Sequence, residues 1–286
     1  MGELDVETPV RRYWLRAEQF EGRQIGDHVR IDGDELHHIR DVCRLGKGDR
    51  FEVLSAGKAY LVEGFESQKR LLVAKILSIR EIPQQPRPHL HLVLSIPRFP
   101  VFESVLEKCV ELGVASVQPV FSERSYLRQN LAQWREKGAR FQKIIISACQ
   151  QSGRGELMSL EPAVPLIEIR EKVLSSLDQS HRRLAFFAYE GGVDSLGRPI
   201  PTTLLSSAIQ LWKSQKGSAP LEDIWLFVGG EGGFSVDEVD AFRDLGCLPV
   251  SLGDHVLRVE TACVSLISIV FYEFRSRQVT PIDSPS

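Results

Sequence analysis

Ile224-Trp225-Leu226-Phe227-Val228 runs directly into Gly229-Gly230-Glu231-Gly232-Gly233-Phe234, and Ser235-Val236-Asp237-Glu238 follows. The apolar run reads as a buried strand, the glycines as a loop and the last stretch as a helix start, since Ser235 and Glu238 have the spacing of a capping box. Four glycines in five positions leave the backbone free to reach positive φ and to approach a ligand without side-chain obstruction. The plain alternative is a tight turn between strand and helix. The loop lacks the Gly-Lys-Ser/Thr ending of a phosphate loop and the spacing and early position of a dinucleotide fingerprint, which disfavours a nucleoside triphosphate or a nicotinamide.

About twenty residues on, Ser251-Leu252-Gly253-Asp254-His255-Val256-Leu257-Arg258-Val259-Glu260-Thr261-Ala262 repeats the pattern of strand end, glycine, irregular segment and helix. Two such loops at neighbouring strand ends would enclose one ligand in the crevice beyond the carboxyl ends of an open α/β sheet. Glu190-Gly191-Gly192, after the apolar run Leu184 to Tyr189, is a candidate third wall, with a solvent turn as its alternative.

The surrounding pattern is α/β. Strands are predicted at Leu90–Ile96, Val114–Val120, Leu184–Tyr189, Ile224–Val228 and Leu248–Leu252. Helices are predicted around Phe102–Leu112, Leu131–Gln151, Leu166–Ser176, Leu204–Lys213, Val236–Leu245 and Thr261–Arg275. The prolines of 83–88 remove backbone donors and favour extended chain, marking a linker. Before it, residues 1–82 read as a small β-rich domain, with strands at 12–15, 28–31, 50–54, 58–62 and 71–76 and a helix from about Glu35 to Leu45. Residues 89–280 form the α/β domain and 281–286 a frayed tail.

With 43% hydrophobic and 26% charged residues in 286, the composition is that of a soluble globular chain with room for two cores. The apolar helix 262–274 is too short to span a bilayer and the N-terminus has no secretory signal, so no membrane contact and a cytoplasmic location are expected. Five cysteines without a CxxC pair predict free thiols, and no ligand spacing supports a metal. The net charge of −3 gives no global pull toward nucleic acid. Between Phe121 and Arg154, however, seven basic residues stand against two acidic ones, among Phe121, Tyr126, Trp134 and Phe141. Cations with interleaved aromatics suit RNA, and a solvated helix face is the alternative.

Five segments taken in order carry a family resemblance. They are Glu35 to Leu45 with Gly48-Asp49; Lys108 to Val114 with Pro119, Arg124 and Ser125; Ala148-Cys149-Gln150-Gln151-Ser152-Gly153-Arg154; the glycine loop; and Leu252-Gly253 through Leu257 to Ala262. Over nearly its whole length the chain resembles the RsmE family of ribosomal RNA uridine methyltransferases, in the SPOUT superfamily of S-adenosylmethionine-dependent enzymes. The resemblance implies an N-terminal PUA-like RNA-binding β-barrel and a SPOUT-type parallel sheet whose C-terminal part forms a deep trefoil knot. It also implies a homodimer through the knotted domain, and methylation of N3 of a uridine in 16S ribosomal RNA, free or in the assembled small subunit.

Carried over by position, the cofactor pocket comprises Gly229, Gly230, Glu231, Gly233, Leu252, Gly253, Leu257, Arg258, Thr261 and Ala262. The N3 proton must leave before the nitrogen can attack, so Arg258 suits stabilisation of the uracil anion, and Glu231 or Glu260 suits proton acceptance or cap formation. Arg44, Arg124, Arg128, Lys143 and Arg154 are the expected RNA contacts. The chain departs from the family in carrying Gly230 for proline, Val259 for threonine and Arg98 for lysine. A looser loop at Gly230 and weaker cofactor binding are expected, and a catalytically weakened RNA-binding paralogue is the alternative function.

Overall fold

The computed structural model describes residues 11–42, 44–127, 130–169, 183–216 and 221–275. The chain divides into two compact units. The first holds the residues up to Gln84 together with Ile146–Leu157, and the second holds Gln85–Ile145 and the chain from Met158 onward.

The first unit is built on β1 (Arg12–Trp14), β2 (His28–Ile31), β3 (Arg50–Ser55), β4 (Lys58–Gln68) and β5 (Leu71–Glu81), in the sheet order β1-β3-β4-β5-β2. Apolar residues alternate along the strands, so Val29, Ile31, Leu72, Ala74 and Ile76 share one buried core with Phe51, Val53 and Val62. Between β2 and β3 the predicted helix is a single α-turn, Gly33–Leu36, continued by a wide π-turn, His37–Val42. Leu36 and Ile39 are buried there as the periodicity predicts.

In the second unit, the labelled strands are β6 (His89–Ser95), β7 (Ser116–Phe121), β8 (Arg183–Ala188), β9 (Asp223–Val228) and β10 (Leu248–Ser251). They lie in the order β10-β8-β9-β6-β7, all parallel, with two-residue strands Thr203–Leu204 and Ser159–Leu160 at the edges. Parallel strands are covered on both faces, which explains why β7 is buried throughout and why Leu226 to Val228 form an unbroken apolar run. The helices are α1 (Phe99–Leu112), α2 (Leu131–Glu136), α3 (Gly138–Ser152), α4 (Leu205–Lys216), α5 (Val236–Asp244) and α6 (Val259–Arg275). In α6, Val259, Cys263, Leu266, Ile267 and Val270 are buried, one stripe at helical spacing.

Two helical expectations change. The single helix predicted over Leu131–Gln151 is broken at Lys137, where the α2 C-cap closes back onto Trp134 and Arg135. The helix predicted at Leu166–Ser176 runs largely outside the described residues, as does the predicted tail. Among the described residues, no helix is long and apolar enough to cross a membrane, and no group of three or more histidine, cysteine or acidic side chains could hold a metal ion.

Candidate active site

The glycine loop joins β9 to α5, and both of its ends are fixed. Ser235 Oγ accepts from the Glu238 N–H at 3.4 Å while Glu238 Oε2 accepts from the Ser235 N–H at 2.8 Å, completing the predicted capping box. The other oxygen of Glu238 accepts from the Glu123 N–H at 2.8 Å, so the same carboxylate ties the loop after β7 to the start of α5.

Within the loop the Gly233 N–H donates to the Gly230 carbonyl at 3.0 Å. Gly233 has φ 64, and a Cβ on Gly229 would stand 2.8 Å from the Gly233 Cα. These two positions demand glycine. A Cβ on Gly230 would meet nothing closer than the Ser95 carbonyl and hydroxyl, at 3.5 Å, an ordinary contact. Gly230 is buried and its carbonyl is bound, so the looser loop expected at this position is not what the fold provides.

Beyond the carboxyl ends of β6, β8 and β9 lies a cleft of about 900 Å3. Its walls are the glycine loop, residues 188–193 after β8, residues 256–260 with Ala262 at the start of α6, and Arg98, Val101 and Arg124. Gly191 and Gly192 therefore form a wall rather than a free solvent turn. All three predicted catalytic residues, Glu231, Arg258 and Glu260, line the cleft, as do Gly229, Gly230, Gly233, Leu257 and Ala262. Leu252, Gly253 and Thr261 are not among its lining residues: Gly253 turns at φ 130 in an exposed loop, and Thr261 faces outward from the first turn of α6.

The cleft is electrostatically mixed. Arg98, Arg124 and Arg258 face it alongside Glu190, Glu231 and Glu260. The Arg98 N–H donates to Glu231 Oε1 at 3.1 Å, and Arg124 Nη1 donates to the Gly232 carbonyl at 3.3 Å. One turn into α6, burial pushes the Cys263 thiol well above the ordinary thiol range, which leaves it protonated and inert. The sequence singles out Arg98 as a departure from the family at the site without placing it on a wall, and gives no sign of Val101, because only the pairing of β6 with β9 brings them beside the glycine loop.

The expected RNA contacts differ in their placement. Lys143 is exposed on α3, Arg44 is exposed in the first unit with φ 59, and Arg128 lies outside the described residues. Arg140 is engaged with Glu103 at 2.7 Å, and this guanidinium holds the Glu103 carboxyl below its usual range. Arg154 is only 7% exposed, because the αL turn at Gly153, φ 74, directs the chain inward after α3. That placement is at odds with an open phosphate contact. Of the interleaved aromatics, Phe121, Trp134 and Phe141 are core, Trp134 and Phe141 packing with ring centroids 4.9 Å apart. Only Tyr126 is exposed, at 53%.

Residues 83–271 match the family described as the RNA methyltransferase domain, and residues 31–77 match the RNA methyltransferase PUA domain. The chain is 29% identical over 238 residues to the ribosomal RNA small subunit methyltransferase E of a Synechocystis species, covering 82% of this chain and 69% of that one. It is 25% identical to the protein of the same name from Buchnera aphidicola, over 88% and 93% of the two chains. Among solved structures it resembles ribosomal RNA small subunit methyltransferase E of Neisseria gonorrhoeae bound to S-adenosyl methionine, with TM-score 0.72, 25% identity and coverage of 92% and 97%. A Legionella pneumophila chain at 23% identity and TM-score 0.74 shares the fold.

Proposed function

The chain belongs to the RNA methyltransferase family, and from that premise we propose that it methylates N3 of a specific uridine in 16S ribosomal RNA with S-adenosylmethionine as methyl donor. The observation that carries this reading is the cleft itself. The glycine loop and residues 188–193 form its walls, and Arg258 and Glu260 line it as well. The residues fit the donor: four wall glycines, Gly191, Gly192, Gly229 and Gly233, exclude a Cβ or have positive φ, and the mixture of three arginines and three glutamates suits a ligand carrying both charges.

When bound, S-adenosylmethionine supplies an electrophilic methyl group on a sulfonium. Gly229, Gly230, Gly233, Leu257 and Ala262 would hold it. Arg258, with Arg124 across the cleft, stabilises the negative charge that appears on the uracil ring as the N3 proton departs. Glu260 accepts that proton, whereas Glu231, already receiving the Arg98 N–H, tethers the glycine loop. Arg44, Arg124 and Lys143 meet the RNA backbone. Incubation with labelled S-adenosylmethionine and small ribosomal subunits lacking the modification tests the reading. One N3-methyluridine is expected, and its absence refutes the activity.

In the same reading the first unit closes into a PUA-like barrel spanning 1–82, joined by 83–88 to a methyltransferase domain over 89–280. That domain carries a trefoil knot around β8, β9 and β10, the three strands whose following loops bound the cleft and the start of α6. A second copy packs on this domain, for which the exposed Leu211 of α4 and Tyr272 of α6 offer apolar surface. Small-subunit ribosomal RNA as substrate places the protein in the cytoplasm.

A further inference from the structure

The first unit presents an outer sheet face built by β2, β5 and β4. The register of β2, β5 and β4 aligns His28 with Lys75 and Arg30 with Val73. Val29, Ile31, Leu72 and Ala74 point into the core, so exposed His28, Arg30 and Lys75 share the outer face. On β4 the register shifts between Gly64, paired with Ala74, and Glu66, paired with Val73. Phe65 is the extra residue of this bulge, and a bulge re-aims its side chain.

Gly64 just before it is locked. Its N–H donates to the Asp49 carbonyl at 2.9 Å, its carbonyl accepts from the Gly48 N–H at 2.7 Å, and a Cβ there would lie 2.0 Å from the Gly46 carbonyl oxygen. The rigid bulge thus holds Phe65 outward, 56% exposed, with the His28 ring packed edge-on at 4.7 Å. A phenylalanine presented to solvent by a fixed backbone is an aromatic surface awaiting a flat partner.

At the tip of the β4–β5 hairpin is a cavity of about 390 Å3 lined by Gly33, Leu36, His37, Arg40, Lys69 and Arg70, four of the six basic. Arg40 Nη1 donates to the carbonyls of Gln68 at 2.8 Å and Lys69 at 2.5 Å, fixing the tip. Lys69 and Arg70 are exposed beside it. On the same strand Glu63 is paired with Arg50 at 2.9 Å, whereas Glu66, bound to the neutral Gln68 amide at 2.6 Å, keeps its charge, so this unit sets exposed Arg30, Lys69, Arg70 and Lys75 against the Glu66 carboxylate.

We propose that this face binds a single-stranded stretch of the RNA substrate, one phosphate group in the His37, Arg40, Lys69 and Arg70 cavity and one unpaired base against Phe65 and His28. The inference rests on RNA being the substrate and adds where, and in what form, a second part of it is held. A duplex hides its base faces, whereas a splayed base offers one to Phe65.

The test measures dissociation constants of the full-length protein for naked 16S ribosomal RNA and for assembled small subunits over a range of salt. In the double variant Lys69→Ala, Arg70→Ala, binding to naked RNA weakens and the salt slope shrinks by about 0.7, the value for one lost single-strand phosphate contact. Phe65→Ala weakens binding about five- to a hundredfold with an unchanged slope, and Phe65→Trp restores it. The thermal shift produced by S-adenosylmethionine stays as in the wild type throughout. Unchanged affinity and slope in these variants overturn the proposal. So does weakening confined to assembled subunits, which would identify a ribosomal protein as the occupant. RNA binding that follows these expectations without methyl transfer would refute the proposed activity and leave the docking face standing.

Discussion

The Arg98 main-chain N–H donates to the Glu231 carboxylate at 3.1 Å across 133 residues of sequence. The bond joins the turn leaving β6 to the tip of the glycine loop, so the carboxylate acts on loop position before any chemistry. Glu231→Gln keeps an acceptor oxygen, and S-adenosylmethionine affinity should stay within about twofold. Glu231→Ala removes a hydrogen bond worth about 1 kcal/mol, weakening affinity about fivefold in calorimetric titration. A kcat for Glu231→Gln reduced a hundredfold or more would instead make Glu231 the proton acceptor.

Gly229 and Gly230 are neighbours with opposite tolerance. Alanine at 229 forces its Cβ to within 2.8 Å of the Gly233 Cα, both backbone-borne atoms with no room to yield. Gly229→Ala should cost about 1–3 kcal/mol and remove the thermal shift given by the cofactor. Gly230→Ala places its Cβ 3.5 Å from Ser95 and should retain both stability and the shift. Equal damage from the two substitutions would contradict the loop geometry.

How much of this site the sequence discloses depends on the range over which a feature is set. The capping box at Ser235 and Glu238 is local chemistry three residues apart, and it appears as read. The longer strands of both sheets are legible from alternation or unbroken apolar runs, whereas the two-residue strands Ser159–Leu160 and Thr203–Leu204 carry no such pattern. Adjacency is another matter: β6 lies beside β9 in the sheet, so Arg98 reaches Glu231 through a pairing no local pattern encodes. Composition likewise cannot separate a stacking aromatic from a core one, and Trp134 and Phe141 prove to be core. Leu252, Gly253 and Thr261 belong to the right segment, but the path of the loop decides which of its residues face the cleft.

The Glu238 carboxylate serves two backbone donors, Ser235 N–H and Glu123 N–H, both at 2.8 Å. Ser235→Ala removes the reciprocal cap alone and should cost about 1 kcal/mol. Glu238→Ala releases the loop after β7 as well, and with it Arg124 from Gly232. It should cost more than Ser235→Ala in urea unfolding and also weaken cofactor binding. Identical losses would show that the link to Glu123 contributes nothing.

Asp223 at the start of β9 bonds His91 Nε2 at 3.3 Å and Arg183 at 3.2 Å, while His91 Nδ1 contacts Ser116 Oγ at 2.7 Å. The hydrogen bond to His91, followed by the charges of His91 and Arg183, holds the Asp223 carboxyl below its ordinary value. A carboxyl whose folded pKa lies below its unfolded one, about 3.9, contributes stability that is present above the unfolded value. That contribution is lost as pH falls through the folded value. Asp223→Asn should therefore lower Tm at pH 7 and reduce the steepness of the fall in Tm below about pH 4. An unaltered acid limb would show that the Asp223 charge is not coupled to folding.

Glu260 and Arg258 are two residues apart at the entry to α6, and both line the cleft. If Glu260 takes the N3 proton, Glu260→Gln removes the base while keeping size and hydrogen-bonding capacity, and kcat should fall about 10²–10⁴-fold with cofactor affinity nearly unchanged. Arg258→Ala should lower kcat about 10²–10³-fold, because stabilisation of the uracil anion is realised only as charge develops. The two variants differ with pH. Raising the pH deprotonates more of the uridine in solution, so the Glu260→Gln rate should climb steadily with pH. Arg258→Ala, with its base intact, should keep the profile of the wild type at a lower level. A flat pH profile for Glu260→Gln would place proton removal elsewhere in the cleft.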